Sequence, residues 1–414
     1  MRTIPRGRPT TAARAALASG VPGAIAGMVS AAIPPFLVGS LSIAMADDVG
    51  FSVAALGTAV SASYVVSALL SPVAGRLVQR LGAVPALRLT CGLTTLGLTI
   101  LVFAGSRPAV LIALAVLGVP NALIQPASNH TLATITAPRA RALLFGVVQS
   151  AIPTATMLSG LLLAGFNRGS TWRDAILCTA LFTLVAQLAI RGRAPAQVGG
   201  FGTNGGAADA SCEPQRPLLL GVLAVGGFLG SASATTLAIF GSAGAVDAGL
   251  SAGSAATCQV LGSLCCIAVR TLASWYGGVG SGRAIIGRVA ALIAVGAGGF
   301  AVLAFRQTSL FPVGLAVAFA CGWGWTGLFN LTVARARPGQ VARATGLTQS
   351  GLFLGSVTGP ALFGILTHNV GYAAGWWLCV TIAAGAATCA ALSALLWSRP
   401  PAREPLPEAA APTA

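Results

Sequence analysis

Apolar runs of about twenty residues recur along this chain, each ended by a short turn that often carries one or two arginines. A hydrocarbon core about 30 Å thick needs roughly 20 apolar residues per helix, so repeated runs of this length point to a bundle of membrane-spanning helices. We place six spans at about 19–45, 53–74, 86–104, 109–134, 142–166 and 174–190, and six more at about 218–241, 251–272, 284–305, 309–333, 343–367 and 371–397. Pro34 and Pro35 are expected to kink the first. Charged residues make up only 8% of the 414 positions, too few to cover a soluble protein of this size, so the solvent is largely lipid.

Between the two sets lies RGRAPAQVGGFGTNGGAADASCEPQRP, residues 191–217, too polar to span and rich in glycine. The expected organisation is therefore a cytoplasmic leader (1–18), an N-terminal six-helix half (19–190), a flexible cytoplasmic linker (191–217), a C-terminal six-helix half (218–397) and a disordered Pro-rich tail (398–414). Arginine placement sets the orientation, because positively charged loops stay cytoplasmic. With both termini inside, Arg76, Arg80, Arg88, Arg139, Arg141, Arg270, Arg283, Arg288, Arg335, Arg337 and Arg343 share one side, against Arg107, Arg168, Arg173 and Arg306 on the other. A multi-pass protein of the cell inner membrane follows, with Cys212 of the linker cytoplasmic.

The net charge of +16 comes from arginine alone, since the chain has no lysine. These arginines stand in ones and twos without the clustered aromatics of a nucleic-acid surface, which excludes that class of partner. Nine cysteines fall almost entirely inside spans and show neither a disulfide framework nor zinc spacing. No metal, cofactor or catalytic constellation is indicated, so an enzyme is not expected. The partners expected are the bilayer and a small-molecule substrate, the protein acting as a monomer.

Ser71 to Arg88 reads SPVAGRLVQRLGAVPALR, a basic stretch between two apolar runs. Its core, Gly75-Arg76-Leu77-Val78-Gln79-Arg80-Leu81-Gly82, resembles the loop between the second and third helices of the major facilitator superfamily, with Gln79 at that family's aspartate and Ala83-Val84 at its basic pair. Two internal echoes accompany it: GRLVQRLG (75–82) with RTLASWYG (270–277), and GVVQS (146–150) with GLTQS (346–350). The second pair sits at the start of the fifth and eleventh spans, as parallel repeats require. NALIQPASNHTLATITAPRARALLFGVVQSAIP looks like the cyanate-permease-like branch. The resemblance implies an all-α, twelve-helix carrier of two six-helix halves that works by alternating access, with Gly75, Gln79, Arg80 and Gly82 in a conformational lock. In the family the carboxylate holds the halves together on the cytoplasmic side. Glutamine keeps a hydrogen bond and loses the charge, so Gln79→Asp is expected to strengthen the lock.

The resemblance also places the cavity among the first, second, fourth and fifth helices and their repeats. In the fourth span Asn121, Gln125 and Asn129 recur at i, i+4 and i+8, on one helix face. Amides in lipid are costly unless they meet water or a partner, so this stripe marks either a solute face or helix-to-helix hydrogen bonding. Asn121 and Gln125 are substrate-binding candidates, Asn129 lying nearer the cytoplasmic end. In the tenth span Thr326 and Asn330 are one turn apart, with Trp323 and Trp325 adjacent, and could face them; Trp325 and Asn330 join the substrate-binding candidates. Gln149 and Gln349 are open to gating or to helix capping. Gly351, Gly355 and Gly359 put small residues on one face of the eleventh helix, for close packing.

Every acidic residue can be assigned to a loop, span end or tail, and Arg270 and Arg288 fall near cytoplasmic helix ends, so the cavity reads as uncharged. The expected solute is small and neutral, zwitterionic or weakly anionic, moved by secondary transport. The Gly-Pro pattern of the family's antiporters is absent from the fifth span. Efflux of amphipathic compounds and a non-transporting receptor on the same fold stay open as alternatives.

Overall fold

The computed structural model describes residues 11–41, 45, 48–50, 53–135, 137–166, 171–190 and 217–397. The first ten residues, the linker up to residue 216 with Cys212, and the tail from 398 lie outside them. Fourteen helices are found among the described residues: α1 (Thr11–Ser40), α2 (Val53–Leu81), α3 (Ala83–Val102), α4 (Arg107–Ala133), α5 (Pro138–Gln149), α6 (Ala151–Phe166), α7 (Trp172–Ala189), α8 (Pro217–Asp247), α9 (Ala252–Gly277), α10 (Gly282–Ala304), α11 (Phe311–Val317), α12 (Thr326–Ala336), α13 (Val341–Asn369) and α14 (Tyr372–Trp397). The pair α5 and α6 forms the fifth span; α11, a π-turn at Ala318–Gly322 and α12 form the tenth. Eleven spans of the described residues are long and apolar enough to cross a membrane, and α7, packed on α1 and α3, is the twelfth. The protein is an all-helical, twelve-span membrane protein.

Three boundaries differ from expectation. Helix α1 already runs from Thr11, because TAARAALA is rich in alanine, the best helix former, and holds no breaker. Pro217, expected in the linker, opens α8 at a position where a missing N–H costs nothing. The basic stretch at 75–81 is not a loop: it continues α2, and the whole turn to α3 is Gly82. Gly82 has φ +83, a conformation that a side chain resists.

Prolines shape the spans from inside. Pro22, Pro34 and Pro35 lie within α1, Pro120 and Pro126 within α4. Pro153 follows the junction of α5 and α6 at Ser150, and lacking an N–H it leaves the carbonyl four residues earlier, that of Gln149, without a helical donor.

The expected close approach at the glycines of the eleventh span is seen, and its partner is the seventh. A Cβ at Gly351, Gly355 or Gly359 would collide with the backbone of Ala224, Phe228 or Ala232 on α8, three positions also spaced by four. At its other end α13 crosses α2, where Gly346 and Gly75 meet backbone to backbone; a Cβ on Gly346 would lie 2.9 Å from the Gly75 Cα. The echo of that crossing is α5 on α9, where a Cβ on Gly146 would lie 2.9 Å from the Arg270 carbonyl. So Gly146 and Gly346, paired by sequence, each let one half touch the other.

Charge divides the two ends of the bundle. The described acids Asp48, Asp174 and Asp247 all lie at the arginine-poor end, where Asp48 pairs with Arg173 and accepts from Trp172 Nε1 (3.1 Å), and Asp247 pairs with Arg306 (2.8 Å). The Arg173 hydrogen bond holds the Asp48 carboxyl below the ordinary carboxylate range. At the arginine-rich end the partners are carbonyls. Arg288 donates to Gly277 and Val279 and Arg335 to Gly278 and Gly280, so two cations cap the C-terminus of α9.

Candidate functional site

A central space of about 800 Å³, its open side included, lies between the halves. Both halves line it: Asn121 and Gln125 from α4, Gln149 and Ile152 from the fifth span, Tyr64 from α2, Met28, Pro35 and Phe36 from α1, then Ser231 and Thr235 from α8, Trp323, Thr326 and Asn330 from the tenth span, and Gln349, Phe353 and Ser356 from α13. Of the candidates read from sequence, Asn121, Gln125, Asn330, Gln149 and Gln349 come together here.

The polar stripe of α4 meets a different neighbour at each turn. Asn121 Nδ2 donates to Ser67 Oγ on α2 at 3.2 Å. Gln125 and Gln149 form a reciprocal amide pair, at 3.2 and 2.7 Å. Asn129, fully buried, crosses to the other half, its Nδ2 donating to Asn330 Oδ1 (2.7 Å) and Thr345 Oγ1 (3.1 Å). One face of one helix thus serves both cavity and interface, which spacing alone does not separate. Beside Asn330, the Thr326 hydroxyl is buried with no protein partner, an unspent group at the cavity wall.

Trp325 is not a cavity residue, against expectation. Its side chain is fully buried in the C-terminal half, Nε1 donating to the Gly322 carbonyl at 2.9 Å and the ring edge-on to Phe329 at 5.2 Å. Trp323, two residues earlier, lines the cavity instead, because the π-turn shifts the register between α11 and α12. The hydroxyl group of Ser231, Thr235 and Ser356, with contacts of 2.8 and 3.0 Å, was also missed, since serines and threonines carry no spacing signal in helices so rich in small residues.

Every described hydrogen bond between the halves lies toward the arginine-rich end. Besides the Asn129 contacts, Ser350 Oγ donates to the Ala68 carbonyl, and Gln79 Nε2 to the Gly339 carbonyl at 2.9 Å. Arg80 is exposed, with no hydrogen bond or ion pair to another described residue. Gln79 therefore acts as a donor, a part that the family's aspartate cannot take. Gln79→Glu would set a carboxylate against a carbonyl, losing roughly 1 kcal/mol and adding repulsion. A cysteine at position 121, in a background without the native cysteines, should then label several-fold faster from the arginine-rich side. Unchanged labelling would show that this contact does not hold the halves.

Arg270 was expected near a helix end, but it is fully buried about 10 Å inside α9, seven residues before its end. Nη1 donates at 2.6 Å to the Gln149 carbonyl, the one Pro153 leaves free, and Nη2 at 2.6 Å to the Trp323 carbonyl beyond the π-turn. Proline four residues after a glutamine is the signal that could have disclosed the first of these acceptors.

A two-half helical bundle closed at one end around a shared polar cavity is the architecture of a secondary transporter. The profile of the Major Facilitator Superfamily matches residues 17–324, and the chain belongs to that family. No curated protein sequence matches it. Among solved structures it is similar to the human organic anion transporter MFSD10 (TETRAN), at 17% identity and TM-score 0.69, over 95% of this chain and 100% of that one. It is also similar to a variant of the E. coli fucose:proton symporter FucP, at 14% identity and TM-score 0.71, over 93% and 99%. A structure of FucP in the outward conformation aligns at 13% identity and TM-score 0.67, over 89% and 98%.

Proposed function

We propose that this protein carries a small solute across the cell inner membrane by alternating access, the solute binding between the halves at Asn121, Gln125, Thr326 and Asn330. The observation that carries the reading is a polar cavity shared by both halves and bolted at one end by hydrogen bonds alone, from Asn129 to side chains and from Gln79, Ser350 and Arg270 to backbone carbonyls, with no ion pair there among the described residues to break. By the arginine bias the bolted end is cytoplasmic, together with both termini and the 191–217 linker, so this state faces outward. The two bodies that rock are residues 19–190 and 218–397, in a monomer without nucleic-acid partners or catalytic chemistry. Amides, hydroxyls and Trp323 suit a small neutral, zwitterionic or weakly anionic solute. Among the solved neighbours are an organic anion transporter and a fucose:proton symporter, so the fold admits charged and uncharged cargo. The likeness of α4 and α5 to the cyanate-permease-like branch belongs to this reading without fixing the cargo. Efflux of amphipathic compounds is the second reading, favoured by the apolar wall of Met28, Phe36, Tyr64 and Phe353. Deletion would separate them, efflux giving sensitivity to such compounds and uptake a growth defect.

In proteoliposomes Asn121→Ala, Gln125→Ala and Asn330→Ala should each reduce flux several-fold, since a lost hydrogen bond costs roughly 1 kcal/mol. Membrane insertion should be unaffected. Unchanged flux in all three would put the site elsewhere.

A further inference from the structure

Arg270 is the one fully buried charged side chain among the described residues. The described carboxylates, Asp48, Asp174 and Asp247, lie at the other end of the bundle, so no described acid compensates it. A guanidinium without a counter-ion at this depth is expensive, and backbone carbonyls offset only part of that cost. Its place gives the charge a use. Both carbonyl partners belong to residues that line the cavity, Gln149 from one half and Trp323 from the other, and the guanidinium carbon lies 5.7 Å from the centre of the Trp323 ring. Nε is buried and unpartnered. The cation thus sits one layer beneath the cavity floor, with donor capacity in reserve.

We propose that the transported solute is an organic anion, most simply a monocarboxylate, and that Arg270 is its counter-charge. This rests on the reading of the cavity as a solute site. In the closed state the Gln149 carbonyl stands in for the anion. When the halves part at the arginine-rich end, Gln149 leaves with the opposite half and Nη1 loses its acceptor. A carboxylate in the cavity then replaces a partial negative charge by a full one. The anion therefore binds more tightly to the state open at that end, and closure re-forms the Gln149 contact as the anion is given up.

The test uses purified full-length protein and isosteric pairs of acid and amide: acetate with acetamide, benzoate with benzamide, nicotinate with nicotinamide. For at least one pair the acid should bind about tenfold or more tightly than its amide by thermal shift, a difference that one charge-assisted hydrogen bond supplies. Arg270→Gln should erase that preference, and Arg270→Lys, which keeps a point charge, should retain part of it. Binding of acid and amide alike, no binding of any acid, or an acid preference that survives in Arg270→Gln would overturn the proposal. An equal loss of both members in Arg270→Gln and Arg270→Lys would reduce Arg270 to a bolt between the halves and overturn it too. Flux of the same pairs in proteoliposomes keeps the two readings apart. Amides that move while acids do not leave the carrier standing and remove the anion; acids that bind through Arg270 without moving do the reverse.

Discussion

Gly346→Val is expected to abolish transport while leaving the protein folded in the membrane. The Gly346 Cα faces Gly75 across the interface between the halves, and a Cβ there would meet the Gly75 Cα at 2.9 Å and the Ser71 carbonyl closer still. Both obstacles are backbone, which cannot rotate out of the way as the end of a side chain can. Overpacking of this kind costs about 1–3 kcal/mol or more. That cost falls only on the state in which α2 and α13 touch, so the equilibrium moves roughly five- to hundredfold toward the state open at the arginine-rich end. Gly75→Val should do the same, since a Cβ there would lie 2.5 Å from the Ala342 carbonyl and 3.1 Å from the Gly346 Cα. Gly221→Val, where a Cβ meets nothing within 4 Å, should transport normally. Normal flux in Gly346→Val would mean that the two helices do not close on each other during the cycle.

Gly75 was singled out in the sequence, and the structure puts it at a close approach of two helices. The stretch around it was identified by its likeness to a family loop, yet the helix runs on to Leu81 and the position matters as a crossing point. Number, length and order of spans followed from apolar runs, because lipid leaves the backbone few other ways to satisfy its hydrogen bonds. The stripe Asn121, Gln125 and Asn129 was equally visible, since a period of four on an apolar helix is hard to miss. Depth along the span set Asn121 and Gln125 apart from Asn129, but the partner of each was not visible, and Asn330 lies 201 residues beyond Asn129. Arg270 was misplaced for a related reason. A residue seven positions from a helix end looks peripheral until the neighbouring spans are seen to cover it.

Trp323 and Trp325 show the same limit, and they give the second large effect. Trp325→Ala should destabilise the folded protein by about 3–5 kcal/mol, the usual cost of emptying a buried aromatic site. The ring is fully enclosed, stacks edge-on against Phe329 and closes on Gly230, where a Cβ would lie 2.6 Å from it. Trp323→Ala removes a ring that borders open space, so its fold should survive while solute binding weakens. Thermal unfolding in detergent together with flux separates the two. Trp325→Ala should lower the melting temperature sharply, and Trp323→Ala should lower flux with a much smaller change in melting. The opposite assignment would mean that the π-turn does not set the register of the tenth span as described. Sequence offered two tryptophans flanking one glycine; only the extra residue in that turn decides which of them borders the cavity.

The most direct measurement is the accessibility of a cysteine at position 121, in a background without the native cysteines, to an impermeant thiol reagent applied from each face of the membrane. With the other residues as in the natural chain, labelling should come predominantly from the arginine-poor face, because the described hydrogen bonds between the halves all close the arginine-rich end. Adding Gly346→Val should reverse the preferred face. Labelling from the arginine-rich face in both proteins, or a preference that Gly346→Val leaves unchanged, would contradict a cavity opened and closed by the contacts between α2 and α13.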